Sequence, residues 1–133
     1  MEKYTDVFKV LSDKTRLKIM WLLNSVDSKA TVSEIVDVIG ESHFNVSRHM
    51  QILKNAGLLS KEKFGIWVFY SLVPPKSPFD ESIRQTVLSI PSELMKEEIN
   101  KCQKKIQMRK FEKATIEATE RNWHKKLNEL KER

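Results

Sequence analysis

The chain has 133 residues, of which 40% are apolar and 32% charged, with a net charge of +6 and one cysteine. That length suits one modest core with an appendage rather than a multidomain enzyme, because a single domain commonly holds about 100 to 200 residues, and the composition is globular rather than disordered. No uncharged run approaches the roughly 20 residues of a membrane helix, and the charged N-terminus lacks the apolar stretch of a secretory signal; a lone cysteine makes no internal disulfide, so a cytoplasmic location is expected.

Val7, Phe8, Val10 and Leu11 predict a short first helix, and Ser12-Asp13 supplies cap-type side chains for a second beginning near Lys14. Leu17, Ile19, Met20, Trp21, Leu22 and Leu23 make that second helix apolar around much of its circumference, which places it mid-core. Polar residues from Asn24 to Ala30 read as the loop that ends it.

Thr31-Val-Ser-Glu34 has the form of a capping box, so a third helix starts there. Its stripe is Val32, Ile35, Val36 and Ile39, and Gly40 is placed to stop it in a left-handed conformation. Ser42 caps a fourth helix over residues 43 to 56, with Val46, Met50 and Leu53 inward and Ala56-Gly57 at its end. A turn of about three residues between these two helices is the length that sets a helix-turn-helix at a steep angle.

Two β-rich runs, Leu58 to Glu62 and Ile66 to Leu72, joined by Lys63-Phe64-Gly65, predict a hairpin over 58 to 72, a candidate wing. In its second strand Trp67 and Phe69 point one way and Ile66, Val68 and Tyr70 the other, so both faces need cover. Pro74-Pro75-Lys-Ser-Pro78 forms a rigid connector, after which Ser77 and Pro78 open a helix that stops before Pro91. Ser92 restarts a longer helix in which Met95, Ile99, Cys102 and Ile106 form a seam that implies a partner helix. A weaker stripe resumes at Trp123, Leu127 and Leu130. The expected architecture is mainly α with a small β-hairpin wing: a winged helix-turn-helix over 1–76, then a C-terminal helical region and extension over 77–133.

Charge is unevenly placed. Residues 42 to 76 hold five Lys/Arg against one Asp/Glu, and residues 96 to 133 hold twelve against seven. With Val46 facing the core, a step of 100° per residue puts Phe44, Asn45, Arg48, Gln51 and Asn55 on the opposite side of the fourth helix, with Ser47 and Lys54 at its flank. His43 and His49 lean coreward. Arg donates in pairs to guanine and Asn or Gln pairs with adenine, so a polar face nearly free of acid is suited to reading base edges. Lys61 and Lys63 on the first strand and turn are placed to reach phosphates beside the groove. The candidate DNA contacts are His43, Phe44, Asn45, Ser47, Arg48, Gln51, Lys54, Lys61 and Lys63.

Three segments together carry a family resemblance: Phe8-Lys-Val-Leu-Ser-Asp-Lys-Thr-Arg-Leu-Lys-Ile19; Val46-Ser-Arg-His-Met-Gln-Ile-Leu53 with Ala56-Gly-Leu58; and Gly65-Ile-Trp-Val-Phe-Tyr70-Ser-Leu72. From about Val7 to Leu72 the chain resembles the ArsR family of metal- and stress-responsive winged-helix repressors. The resemblance implies a homodimer paired through the first helix and the helices after the wing, one recognition helix per half-site, and an inverted-repeat operator in double-stranded DNA. It also implies DNA contacts at Ser47 and Arg48. The family's Cys-x-Cys metal signature is replaced here by Glu34-Ile-Val-Asp37, and its Asp, His and Glu ligand set after the wing is reduced to Asp80 and Glu81, so no metal site and no cofactor is expected. Phe64-Gly-Ile-Trp67 replaces a more basic wing tip.

Cys102 is the candidate sensor residue. In a twofold seam it faces oxidation, a soft metal shared by two chains or an intersubunit disulfide, while the plainer reading is a buried apolar cysteine. His43 and His49 make a poor metal pair, and His124 reads as a solvated side chain. Three glycines and no catalytic constellation point away from an enzyme. The inducer stays open, and two rival readings stand beside the repressor: a protein-interaction module docking through the C-terminal helices, and a thiol-based redox regulator.

Overall fold

A computed structural model describes the backbone of residues 1–131 and the side chains of 1–109 and 127–130. Six helices and a hairpin follow in the order α1 (Glu2–Leu11), α2 (Lys14–Val26), α3 (Val32–Ile39), α4 (His43–Asn55), β1 (Leu59–Phe64), β2 (Trp67–Leu72), α5 (Pro78–Leu88) and α6 (Lys96–Lys131), with one 3-10 turn over Ser92–Met95. The chain divides into two compact units, Met1–Cys102 and Gln103–Arg133.

Local chemistry sets the helix starts. The Asp13 carboxylate accepts the Arg16 backbone N–H, Ser42 accepts that of Asn45 and Ser77 that of Asp80. At α3 the capping box closes in both directions: the Glu34 N–H donates to Thr31 Oγ1, and the Thr31 N–H donates to Glu34 Oε1. Each such cap satisfies amides that the first helical turn leaves unpaired.

Within the first unit α2 packs against α1, α4, α5 and β2, and α3 packs against α4. Ile19, Met20, Trp21, Leu22 and Leu23 are consecutive buried residues, which only a helix covered on all sides accommodates. Ile35, Val46, Met50, Leu53 and Leu59 complete the core. Full burial of each Leu or Ile side chain stabilises by roughly 1.5 to 3 kcal/mol, so this cluster fixes the relative placement of the helices. Trp21 Nε1 donates to the Ile90 carbonyl at 3.1 Å, tying the chain after α5 to α2.

Several expectations shift. The loop expected from Asn24 begins later, at Asp27: Asn24 Nδ2 donates back to the Met20 carbonyl at 2.8 Å, α2 continues to Val26, and Asp27 ends it in a left-handed conformation with φ 50°. The inward face of α3 is centred on Ile35 and Val38, while Val32, Val36 and Ile39 are half-buried. His43 is exposed rather than inclined to the core, because the first turn of α4 projects beyond it; His49 is buried as expected. The hairpin turn is Gly65-Ile66, not Lys63-Phe64-Gly65: Phe64 pairs with Trp67, and Gly65 supplies the positive φ of 63°.

Cover on both faces of β2 is confined to the wing base. Phe69 and Tyr70 are buried there, whereas Ile66 is 90% and Trp67 51% exposed. Tyr70 also exchanges two backbone hydrogen bonds with Ala30, at 2.8 and 2.9 Å, which fastens the segment before α3 to the wing. Ser92 opens a 3-10 turn, and α6 starts only at Lys96. Of the seam, Met95, Cys102 and Ile106 are buried and Ile99 half-buried. Leu127 and Leu130 are exposed, and the side chains of Trp123 and His124 lie outside the described residues.

Candidate nucleic-acid interface

The chain between α3 and α4 is Gly40-Glu41-Ser42. Gly40, at φ 81°, sends its N–H to the Val36 carbonyl and closes α3; Ser42 opens α4. Thr15 Oγ1, on α2, donates to the Glu41 carboxylate and ties this turn to the start of α2. The angle of α4 is thereby fixed from its N-terminal side.

A second tie acts further along α4. Arg16 Nε donates to the Val10 carbonyl at 2.7 Å and Arg16 Nη1 to His49 Nδ1 at 3.1 Å. A guanidinium only donates, so Nδ1 is the acceptor and the ring proton sits on Nε2. The 3.9 Å contact of the same Nδ1 with Asp13 Oδ1 is therefore no hydrogen bond in this tautomer. Asp13 itself is held below the usual carboxylate value, chiefly by the Arg16 backbone N–H donated to it; partial burial opposes this, and the Arg16 charge adds to it.

Held in this way, α4 turns outward the face read from its sequence. Phe44 is 75% exposed, His43, Arg48, Lys54 and Asn55 are exposed, and Asn45, Ser47 and Gln51 are half-buried. Gln51 Nε2 donates to Asn55 Oδ1 at 3.0 Å, which orders two amides on that face.

The wing completes a groove of about 500 Å³ along α4. Register places Lys61 opposite Tyr70 and Lys63 opposite Val68, on one face of the hairpin. Lys61 Nζ stands 5.8 Å from the Tyr70 ring centroid and lines the groove with His43, Phe44, Ser47, Arg48 and Gln51. Asn45, Lys54 and Lys63 do not line it; Lys63 lies two residues nearer the wing tip. Sequence reasoning missed Ile52 and Tyr70, which form its floor; the alternation that put Tyr70 on a separate face from Trp67 was the available signal. Among the described residues Arg48, Lys54, Lys61 and Lys63 form no ion pair. The groove thus combines unneutralised cations, amides and an exposed aromatic ring, the chemistry of contact with phosphates and base edges.

Cys102 stands apart from this groove, 1% exposed on α6. Among the described residues no three His, Cys, Asp or Glu side chains gather as a metal site, and no helix is long and apolar enough to cross a membrane.

The profile of the arsR family of bacterial regulatory proteins matches residues 13–61, from the α2 cap into β1. The chain is 38% identical over 81 residues to a cadmium resistance transcriptional regulatory protein CadC homolog of Staphylococcus aureus, covering 61% of each protein. It is 33% identical over 88 residues to the arsenic resistance transcriptional regulator ArsR2 of Pseudomonas putida, covering 66% of this chain and 76% of that one. Among solved structures, reduced HlyU of Vibrio cholerae superposes with a TM-score of 0.56 at 24% identity, covering 68% of this chain and 92% of the other. The homodimeric winged helix-turn-helix DNA-binding domain of Mb0332 from Mycobacterium bovis superposes with a TM-score of 0.54 at 23% identity, covering 65% and 75%. The fold is a winged helix-turn-helix, and the chain belongs to the ArsR family of bacterial regulatory proteins.

Proposed function

We propose that this chain is a cytoplasmic, homodimeric transcriptional repressor that sets one α4 into the major groove of each half-site of an inverted repeat and leaves on receipt of a signal. The observation that carries this is the groove in which Arg48, Gln51 and Ser47 on α4 meet Lys61 on the wing, with no acid among them. Arg48 and Gln51 read base edges, Phe44 offers apolar contact to a thymine methyl, and Lys54, Lys61 and Lys63 meet phosphates. His43, Asn45 and Ser47 lie at the start of α4, where a recognition helix comes nearest the duplex.

Dimerisation is supported by an aromatic patch that the chain does not cover itself. Tyr4 and Phe8 on α1 are 44% and 59% exposed, and both meet Phe79 of α5 edge to face, at 4.8 and 5.8 Å. A protein 38% identical over 68 residues, of which the chain covers 57%, bears the name arsenical resistance operon repressor in Escherichia coli.

Selection from random duplexes tests the proposal, and it should return an inverted repeat with half-sites about one helical turn apart. On the selected duplex Arg48→Ala should cost about 1 to 3 kcal/mol and relax one base position, while Lys63→Ala should weaken all duplexes alike and lower the salt slope by about one. The apolar wing tip, with Phe64, Ile66 and Trp67 exposed, favours a second reading as a protein-interaction module. Recovery of no preferred sequence, with little salt dependence, would select it.

A further inference from the structure

A cavity of about 330 Å³ lies between α1, α2, α5 and the wing base, away from the groove on α4. We propose that it binds a small apolar molecule carrying a protonated amine, and that its occupancy alters the DNA-binding surface; only the second half rests on the repressor reading.

Its size falls within the range of small-molecule sites, and Met20, Leu72, Val73, Phe79, Ile83 and Val87 give it apolar walls. Its polar groups are unequally committed. Asn24 is nine-tenths buried and lines the cavity, yet its Nδ2 is already given to the Met20 carbonyl. The side chain's Oδ1 is the group left to meet an occupant. Asp27 and Asp80 stand on the same lining; Asp80 Oδ2 accepts the Lys76 N–H at 3.1 Å, which leaves its other oxygen. Arg84, the one cation there, is engaged by Glu81 at 3.3 Å.

Two carboxylates and an amide oxygen therefore share the lining with one guanidinium whose charge Glu81 offsets, and an amine complements that set. An all-apolar cavity would ask only for a hydrocarbon; acceptors on its wall ask for a donor.

The lining also includes Gly57 and Leu58, the link from α4 to β1. The Leu58 carbonyl accepts the Val73 N–H at 3.1 Å, so an occupant touches the point where the end of α4 is hydrogen-bonded to the exit of the wing.

Backbone amide NMR of the full chain, titrated separately with phenethylamine, 2-phenylethanol and 3-phenylpropionate, tests the site. The amine should give saturable shifts at Leu58 and Val73, with the alcohol at least about 10-fold weaker, the size of one charge-assisted hydrogen bond. Asp27→Asn, which tolerates the same left-handed backbone, should weaken amine binding by a similar factor, and Ile83→Trp, which fills the space, should abolish it. Equal binding of the alcohol or the carboxylate overturns the amine. Absence of saturable shifts, shifts unchanged in Ile83→Trp, or shifts that follow protein concentration without any amine overturn the site, the last by showing a second copy in it. With the selected duplex present, the amine should reduce DNA affinity; binding without that reduction overturns the coupling. Failure to bind any duplex sinks the repressor reading and leaves the titration result standing.

Discussion

Arg16 donates to Nδ1 of His49 at 3.1 Å, so a residue near the start of α2 fixes the ring orientation of one on the buried side of α4. Its Nε holds the last turn of α1 through the Val10 carbonyl. One guanidinium thus joins the helix proposed for dimerisation to the helix proposed for DNA reading.

Arg16→Ala should destabilise the chain by about 1 to 3 kcal/mol, because it leaves a buried imidazole nitrogen and a helix-end carbonyl without their donor. Arg16→Lys should recover little, since one ammonium lacks the fork that reaches both acceptors. Urea titration measures the loss. Selected-duplex affinity measured well below the unfolding transition should fall as well; unchanged affinity would show that α4 keeps its angle without the tie.

Asp13 gives a pH signature of defined sign. Its folded value lies below the ordinary 3.8, so the carboxylate contributes stability that is present above that value and is lost as pH falls through the lowered one. Asp13→Asn keeps a capping side chain and should flatten this part of the acid limb, whereas Asp13→Ala should also lose about 1 kcal/mol of cap energy at neutral pH. Thermal unfolding between about pH 2 and 6 reads both. A wild-type acid limb in Asp13→Asn would assign the loss to other carboxylates.

Gly40 needs its left-handed backbone and nothing else. A Cβ there would meet no atom within 4 Å, so Gly40→Ala should cost only the conformational term, about 1 to 2 kcal/mol, and Gly40→Asn less. A larger loss on chemical denaturation would mean that the turn before α4 is under a constraint its surroundings do not show.

Cys102 should resist a disulfide reagent in the native chain, because only 1% of it is exposed and the reactive thiolate needs solvent. Its labelling should keep pace with global unfolding. Fast labelling under native conditions, with DNA affinity changed in the wild type and not in Cys102→Ser, would instead support thiol control.

What could be read from the sequence was local. The caps at Asp13, Thr31, Ser42 and Ser77 depend on a few neighbouring residues, and each forms as its spacing predicts. The outward face of α4 follows from a single period anchored on Val46. What escaped requires residues distant in the chain: Arg16 with His49, Thr15 with Glu41, and Tyr70 on the groove floor. The rotated face of α3 has the same origin, because Val36 and Val38 are equally apolar and only the surrounding helices decide which is covered. At the hairpin a glycine marked the turn, but its position within the turn depends on strand register, which Phe64 and Trp67 settle by pairing.

The double hydrogen bond between Ala30 and Tyr70 makes the wing base a third strand contact rather than a hinge. Ala30 lies between helices, where amides ordinarily exchange with solvent in local openings, yet its N–H is paired and its side chain fully buried. Its deuterium uptake should follow that of core residues such as Leu22, while amides at the Gly65-Ile66 tip exchange early. A wing fastened in this way at its base keeps Lys61 in step with α4.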